Sequence, residues 1–196
     1  MVQSNSIGAA FVEAFQVFHV ELSPVIVGVV VAVIAAVIFL GGTKSLATVV
    51  EKIVPIMAGV YIVGSLVLIC MNITALPAAF LSIIEGAFAP EAVLGAGAGI
   101  TVREAIRYGV ARGLFSNEAG MGSTPHAHAR AKAESPHHQG LCAMVSVFID
   151  TFIVLNLTVF SVLTTGVMST GKDGTALTQA AFMKGFGSAG IIFVAV

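Results

Sequence analysis

Two stretches of this chain run for 22 residues or more without an Asp, Glu, Lys or Arg: residues 22–43 and residues 53–84. At ~1.5 Å of rise per residue the first makes a helix of about 33 Å, enough to cross a hydrocarbon core of about 30 Å. Its centre, VIVGVVVAVIAAVIFLGG, is β-branched and would suggest a strand in water. Length decides for a membrane helix, with Pro24 near its start and Gly41 and Gly42 at its end. Only 10% of the residues are charged and 57% are hydrophobic, whereas soluble domains carry about 25% charge. The expected class is an all-α integral membrane protein.

The same composition excludes other classes. A net charge of −1 with nine scattered Lys and Arg supplies no basic stripe for nucleic acid. Cys70 and Cys142 sit in apolar stretches and read as small hydrophobes, not as a disulfide framework. The first basic residue is Lys44, so the basic leading region of a secretory signal is missing. The closing GSAGIIFVAV enters an apolar run and stops after a handful of residues. Both ends read as cut from something longer, with Met1 an internal methionine, and the chain is expected to be one membrane-domain fragment.

In order, residues 2–21 are too polar to span and suggest a short interfacial helix or loop. Helices are expected over about 22–43 and 53–74, joined by a short link at residues 43–52. Asn72, Thr74 and Pro77 mark the end of the second, and the remainder to residue 84 should lie at the interface or fold back. Gly95, Gly97 and Gly99 make a connector, the best hinge candidate in the chain. Residues 103–125 form a broken helix, residues 139–165 another helix, and residues 187–196 the start of a truncated one. Between the last two, residues 166–187 read as a linker containing a short amphipathic segment, TALTQAAFMKGF. Charge does not orient the bundle. Four Lys or Arg (Lys44, Lys52, Arg130, Lys132) stand against five (Arg103, Arg107, Arg112, Lys172, Lys184) if loops alternate sides.

The broken helix carries the chemistry. GLFSNEAGMGSTP, residues 113–125, sets Ser116, Asn117, Glu118, Ser123 and Thr124 among Gly113, Gly120, Gly122 and Pro125. Gly costs about 1 kcal/mol and Pro about 3 in a helix interior, so the stretch should unwind. Unwound backbone at membrane depth is tolerated only where it is buried in protein or lines an aqueous cavity. Many secondary transporters build midplane sites in this way, with freed carbonyls facing cations.

Each candidate has a plainer reading. Asn117 is a ligand or an amide capping a helix end. Glu118 is a cation ligand or the partner of Arg112, whose helix carries Arg103 and Arg107 at i, i+4 with heads that can snorkel to the interface. Asp150, about eleven residues into its helix, costs at least ~2.5–3.5 kcal/mol as a charge there. A sodium ion, a terminus of the broken helix, or Thr151 with Asn156 can compensate it, so it serves coupling and site orientation or is a hydrogen-bonded structural Asp. His126, His128, His137 and His138 lie in a polar loop at spacings that do not converge on a metal, and no metal site is expected.

GLFSNEAGMGSTPHAHA, QGLCAMVSVFIDTFIVLNLT, VREAIRYGVAR and VPIMAGVYIVGSLV together resemble the alanine or glycine:cation symporter family, the sodium:alanine symporters. The resemblance implies part of a leucine-transporter-like bundle of five plus five helices in inverted repeats, incomplete at both ends. In that frame residues 22–43 and 53–72 resemble the fourth and fifth helices, residues 113–123 the broken sixth, and the Asp150 helix the seventh. It further implies sodium-coupled symport of a small neutral amino acid, alanine or glycine, by alternating access in a bacterial plasma membrane, with sodium as coupling ion and no other cofactor. Phe115, Ser116, Asn117, Gly120 and Met121 would then border the substrate, with Asn117, Glu118 and Asp150 serving the cation or its coupling. A channel or non-transporting membrane subunit is the alternative. An intramembrane enzyme is disfavoured, because Asp150 lacks the partner carboxylate that acid–base chemistry needs.

Overall fold

A computed structural model describes residues 2–19, 23–88 and 102–195. Among these residues the structure is helical, with no strand. The helices are α1 (Val2–Gln16), α2 (Pro24–Leu40), α3 (Gly42–Met71), α4 (Leu76–Phe88), α5 (Val102–Ser116), α6 (Ser123–His128), α7 (Pro136–Phe148), α8 (Leu155–Thr165), α9 (Gly174–Phe186) and α10 (Ser188–Ala195). A π turn, Ile149–Val154, joins α7 to α8, so residues 136–165 run as one helical rod. That rod and Lys44–Met71 are long and apolar enough to cross a membrane, and Pro24–Leu40 is a shorter apolar helix. The glycine connector around Gly95, Gly97 and Gly99 lies outside the described residues, as do the side chain of Arg103 and residues 20–22.

Several boundaries differ from those read in the sequence. Residues 43–52 are no link: α3 starts at Gly42, and only the corner at Gly41 and Gly42 separates it from α2. Gly42 takes φ +73°, a left-handed conformation that separates the two helices without a loop. The residues that follow are ordinary helix formers, and α3, at 30 residues or about 45 Å, is long enough to carry Lys44, Glu51 and Lys52 beyond an apolar core. It ends at Met71, where Asn72 Nδ2 donates to the Leu68 carbonyl at 3.0 Å. After a short 3₁₀ turn, Ile73–Ala75, the chain is helical again through Phe88. The helix expected from residue 139 begins at Pro136, because Ser135 caps it: its Oγ accepts the His138 N–H at 3.2 Å.

The chain forms two compact units. One comprises residues up to 76 together with those from 157 onward. Here α1 packs against α2, α9 and α10, and α9 packs against α10 and α3. The amphipathic linker helix of the sequence reading is α9, and it is core: Gln179, Ala181 and Phe182 are fully buried. Gln179 donates to the Ala10 carbonyl at 3.0 Å and the Ile191 carbonyl at 3.3 Å, tying α1 and α10 to α9. Phe182 stacks on Tyr61 and Phe193, with ring centroids 5.8 and 5.2 Å away. The unit is close-packed through missing side chains. A Cβ on Gly185 would lie 2.1 Å from Leu68 Cδ1, and one on Gly190 would lie 2.2 Å from the Phe182 carbonyl oxygen. Small residues that let backbones approach are how apolar helices associate where lipid is as apolar as the side chains.

The clash at Gly190 is with backbone and cannot be relieved by a rotamer change. Gly190→Ala should destabilise the protein by about 1–3 kcal/mol, whereas Gly28→Ala in α2, with nothing within 4 Å of the new methyl, should be neutral or slightly stabilising. Thermal unfolding of the two variants in detergent checks the contrast.

Candidate functional site

The second unit, residues 77–156, holds the broken helix and the π turn. The break is narrower than the sequence suggested. Gly113 is inside α5, and Pro125 sits in the first turn of α6, where its missing N–H has no helical acceptor to lose. The non-helical residues are 117–122. α5 closes with two paired bonds: Ala119 N–H to the Leu114 carbonyl at 2.9 Å, and Glu118 N–H to the Phe115 carbonyl at 3.2 Å. This is a Schellman cap whose left-handed position, usually glycine, is Glu118 at φ +51°. Gly120 and Gly122 follow at φ +78° and +82°, conformations that glycine adopts without strain. Among the described residues, the backbone carbonyls of Ser116 and Asn117 accept no hydrogen bond. They are the exposed negative end of the α5 dipole.

The π turn lies against that end. Leu155 N–H bonds to the Asp150 carbonyl, five residues back, in place of the Thr151 carbonyl. Asn156 occupies the acceptor so released: its Nδ2 donates to the Thr151 carbonyl and also to the Phe152 carbonyl, both at 3.1 Å. Two side-chain bonds then join turn and break. Ser116 Oγ donates to Asp150 Oδ2 at 2.8 Å, and Thr151 Oγ1 donates to Asn117 Oδ1 at 3.0 Å. Asn117, Asp150 and Thr151 are half-buried, and Ser116 is exposed. Asp150 Oδ2 is thus held by the Ser116 hydroxyl, a partner that the sequence reading did not name.

Not every candidate joins this group. The Glu118 carboxylate accepts from Ser123 Oγ at 2.6 Å and Thr124 Oγ1 at 3.1 Å, and among the described residues no ion pair joins it to Arg112. The short turn curls Glu118 forward onto its own helix start, which a contact to the preceding turn of α5 would prevent. Phe115 and Met121 are 37% and 54% exposed. Gly120 contributes only its backbone.

The histidine segment is more ordered than a solvated loop. His126 Nδ1 pairs with the Gly122 carbonyl at 2.6 Å, which fixes α6 to the break, and His128 Nδ1 pairs with Gln139 Nε2 at 2.5 Å. Beside them Thr124, Pro125, His128, Ser135 and Gln139 border an open hollow of about 550 Å³ that the sequence did not foretell. Among the described residues no three His, Cys, Asp or Glu converge on a metal ion. Thr151 was visible only as support for Asp150. Its contact with Asn117 depends on the π turn, for which the sole sequence signal is a threonine with an asparagine five residues on.

The chain belongs to the sodium:alanine symporter family, whose profile matches residues 1–196. It is 42% identical over 195 residues to the amino-acid carrier protein AlsT of Bacillus subtilis, an overlap covering 100% of this chain and 40% of that protein. It is 40% identical over 186 residues to the sodium/alanine symporter AgcS of Methanococcus maripaludis, covering 93% and 39%. Against the probable sodium/glutamine symporter GlnT of B. subtilis it is 38% identical over 196 residues, covering 100% and 39%. The chain therefore spans about two fifths of the length of the curated relatives it matches. These relatives are transporters, not enzymes.

Glu118 in the left-handed position offers a test of the break itself. Glu118→Gly should raise the melting temperature by roughly a few degrees, because glycine adopts this φ freely. Glu118→Ala keeps the unfavourable conformation and should give no gain. Differential scanning fluorimetry of both variants makes the comparison.

Proposed function

We propose that this chain is part of a multi-pass secondary active transporter that couples sodium to the movement of a small neutral amino acid, alanine or glycine, across a bacterial plasma membrane by alternating access. The architecture we assign is one part of a leucine-transporter-like inverted-repeat bundle, with α5 and α6 as its broken sixth helix. Family membership supports symport, and the name of the sodium/alanine symporter AgcS favours alanine. The observation that carries the reading is the pair of free carbonyls at Ser116 and Asn117, at the negative end of a helix that stops inside an apolar chain. Carbonyl oxygens are what an ammonium group or a sodium ion needs once it leaves water.

In this reading Ser116, Asn117 and Gly120 meet the substrate, Phe115 and Met121 limit its side chain to methyl size, and Asp150 and Glu118 serve the cation or its coupling. The thioether of Met121 and the ring of Phe115 suit that task, since both pack adaptably on small apolar groups. Asp150, held by Ser116, links the bound ion to the seated substrate.

The test uses the gene's full-length product in proteoliposomes. Alanine uptake should require an inward sodium gradient, and Asn117→Ala should lower uptake at subsaturating alanine by about tenfold or more, the loss of roughly one good hydrogen bond. Equal uptake with and without the gradient, together with an inert Asn117→Ala, would defeat the proposal. Unsaturable single-channel currents would favour a channel instead.

A further inference from the structure

A π turn holds one residue more than an α turn, so it shifts the phase of a helix by one residue, about 100° of rotation. In Ile149–Val154 that shift decides where Asp150 points. Ser116 Oγ donates to Asp150 Oδ2 at 2.8 Å, and Thr151 Oγ1 lies 3.0 Å from Asn117 Oδ1, so both residues of the turn meet the end of α5 whose last carbonyls are free. Were the same residues a regular α-helix, the Asp150 carboxylate, on a cylinder of about 5–6 Å radius, would move by roughly 8 Å relative to Asn156. A serine hydroxyl, one bond beyond Cβ, cannot follow it.

One side chain keeps the turn from reverting. In α geometry the Leu155 N–H would bond to the Thr151 carbonyl; here it bonds to the Asp150 carbonyl and leaves the Thr151 oxygen without it. A backbone acceptor stripped of its partner favours whatever geometry restores one wherever water is scarce. Asn156 removes that pull, because its Nδ2 donates to the Thr151 carbonyl and also to the Phe152 carbonyl, both at 3.1 Å. Carbonyl oxygens only accept, so the nitrogen end of the amide is the end that stands there.

We infer that Asn156 is a positioning residue for the cation side of the site: by capping the π turn it holds the Asp150 carboxylate against Ser116 at the free end of α5, and so sets the sodium requirement of transport. This deepens the proposed function and rests on its assignment of Asp150 to the cation or its coupling. Asn156 touches neither ion nor solute. π turns inside α-helices occur frequently at functional sites, and here the turn gives Asp150 a direction that a regular helix would deny it.

In proteoliposomes of the full-length product, Asn156→Leu, close in volume but without a donor, should raise the half-saturating sodium concentration by about tenfold, the loss of roughly one hydrogen bond to a charged group. Asp150→Asn should raise it as well. Asn156→Leu placed in the Asp150→Asn protein should add nothing further, because the two changes act through one carboxylate. Deleting Ile153 from the Asn156→Leu protein should return the sodium requirement to its original range, since a regular helix one residue shorter restores the phase of Asp150 without a cap.

A merely structural Asn156 would lower the melting temperature and the maximal rate at unchanged half-saturating sodium, and the deletion would worsen both; that outcome overturns the inference and leaves the proposed transport intact. Additive effects of Asn156→Leu and Asp150→Asn overturn it too, as does an Asp150→Asn protein whose sodium requirement is unchanged. If Asn156→Leu melts before it can be assayed, the version lacking Ile153 decides alone: a native sodium requirement supports the inference and any other result overturns it. Uptake by the unaltered protein that ignores sodium defeats the transport reading, and the inference with it.

Discussion

A peptide group that leaves its helix must find another partner for its N–H and its C=O, and the two irregular stretches that meet in the described part of residues 77–156 are organised by that demand. Two departures from α geometry, the break at residues 117–122 and the π turn at Ile149–Val154, each release backbone acceptors. Most of the released groups are taken up locally, by the Schellman pairs after α5 and by the Asn156 side chain. The two irregularities also steady each other through the Ser116–Asp150 and Thr151–Asn117 bonds. What remains open is small: two carbonyls and one end of an amide. The proposed solute site rests on that remnant.

Much of this was legible in the sequence because glycine, proline and charge-free length act locally. The run GLFSNEAGMGSTP announces a break wherever it stands, and left-handed Gly120 and Gly122 answer to it. Gly113 misled, because one glycine inside a helix costs too little to end it when Val102–Ser116 otherwise continues. The π turn was invisible for the opposite reason. Nothing in IDTFIV forbids a regular helix, and the wider turn depends on a cap from Asn156 and on contacts with residues 34 positions away in sequence. Asp150 was flagged by its cost alone, and its hydroxyl partner came only from the fold.

The unit built from both ends of the chain shows where composition misleads. Residues 174–186 have the threonine, glutamine and lysine of a surface linker, yet Gln179 and Phe182 are completely enclosed. Both amide hydrogens of the glutamine are used across two neighbouring helices, which offsets part of the cost of burying it, while its Oε1 is buried without a partner. Gly64, Gly185 and Gly190 make the enclosure possible by leaving room for Phe193, Leu68 and the backbone of α9 where a side chain would stand: a Cβ on each would come within 2.5 Å of them. Periodicity cannot reveal such packing, since the informative residues are those with no side chain to count.

The corner at Gly41 and Gly42 leaves the chain no slack. With no connecting loop between α2 and α3, and with the two helices in contact, an inserted sequence there must disturb the end of one helix or the start of the next. Epitope tags, protease sites and fluorescent reporters therefore have no tolerant position at that turn.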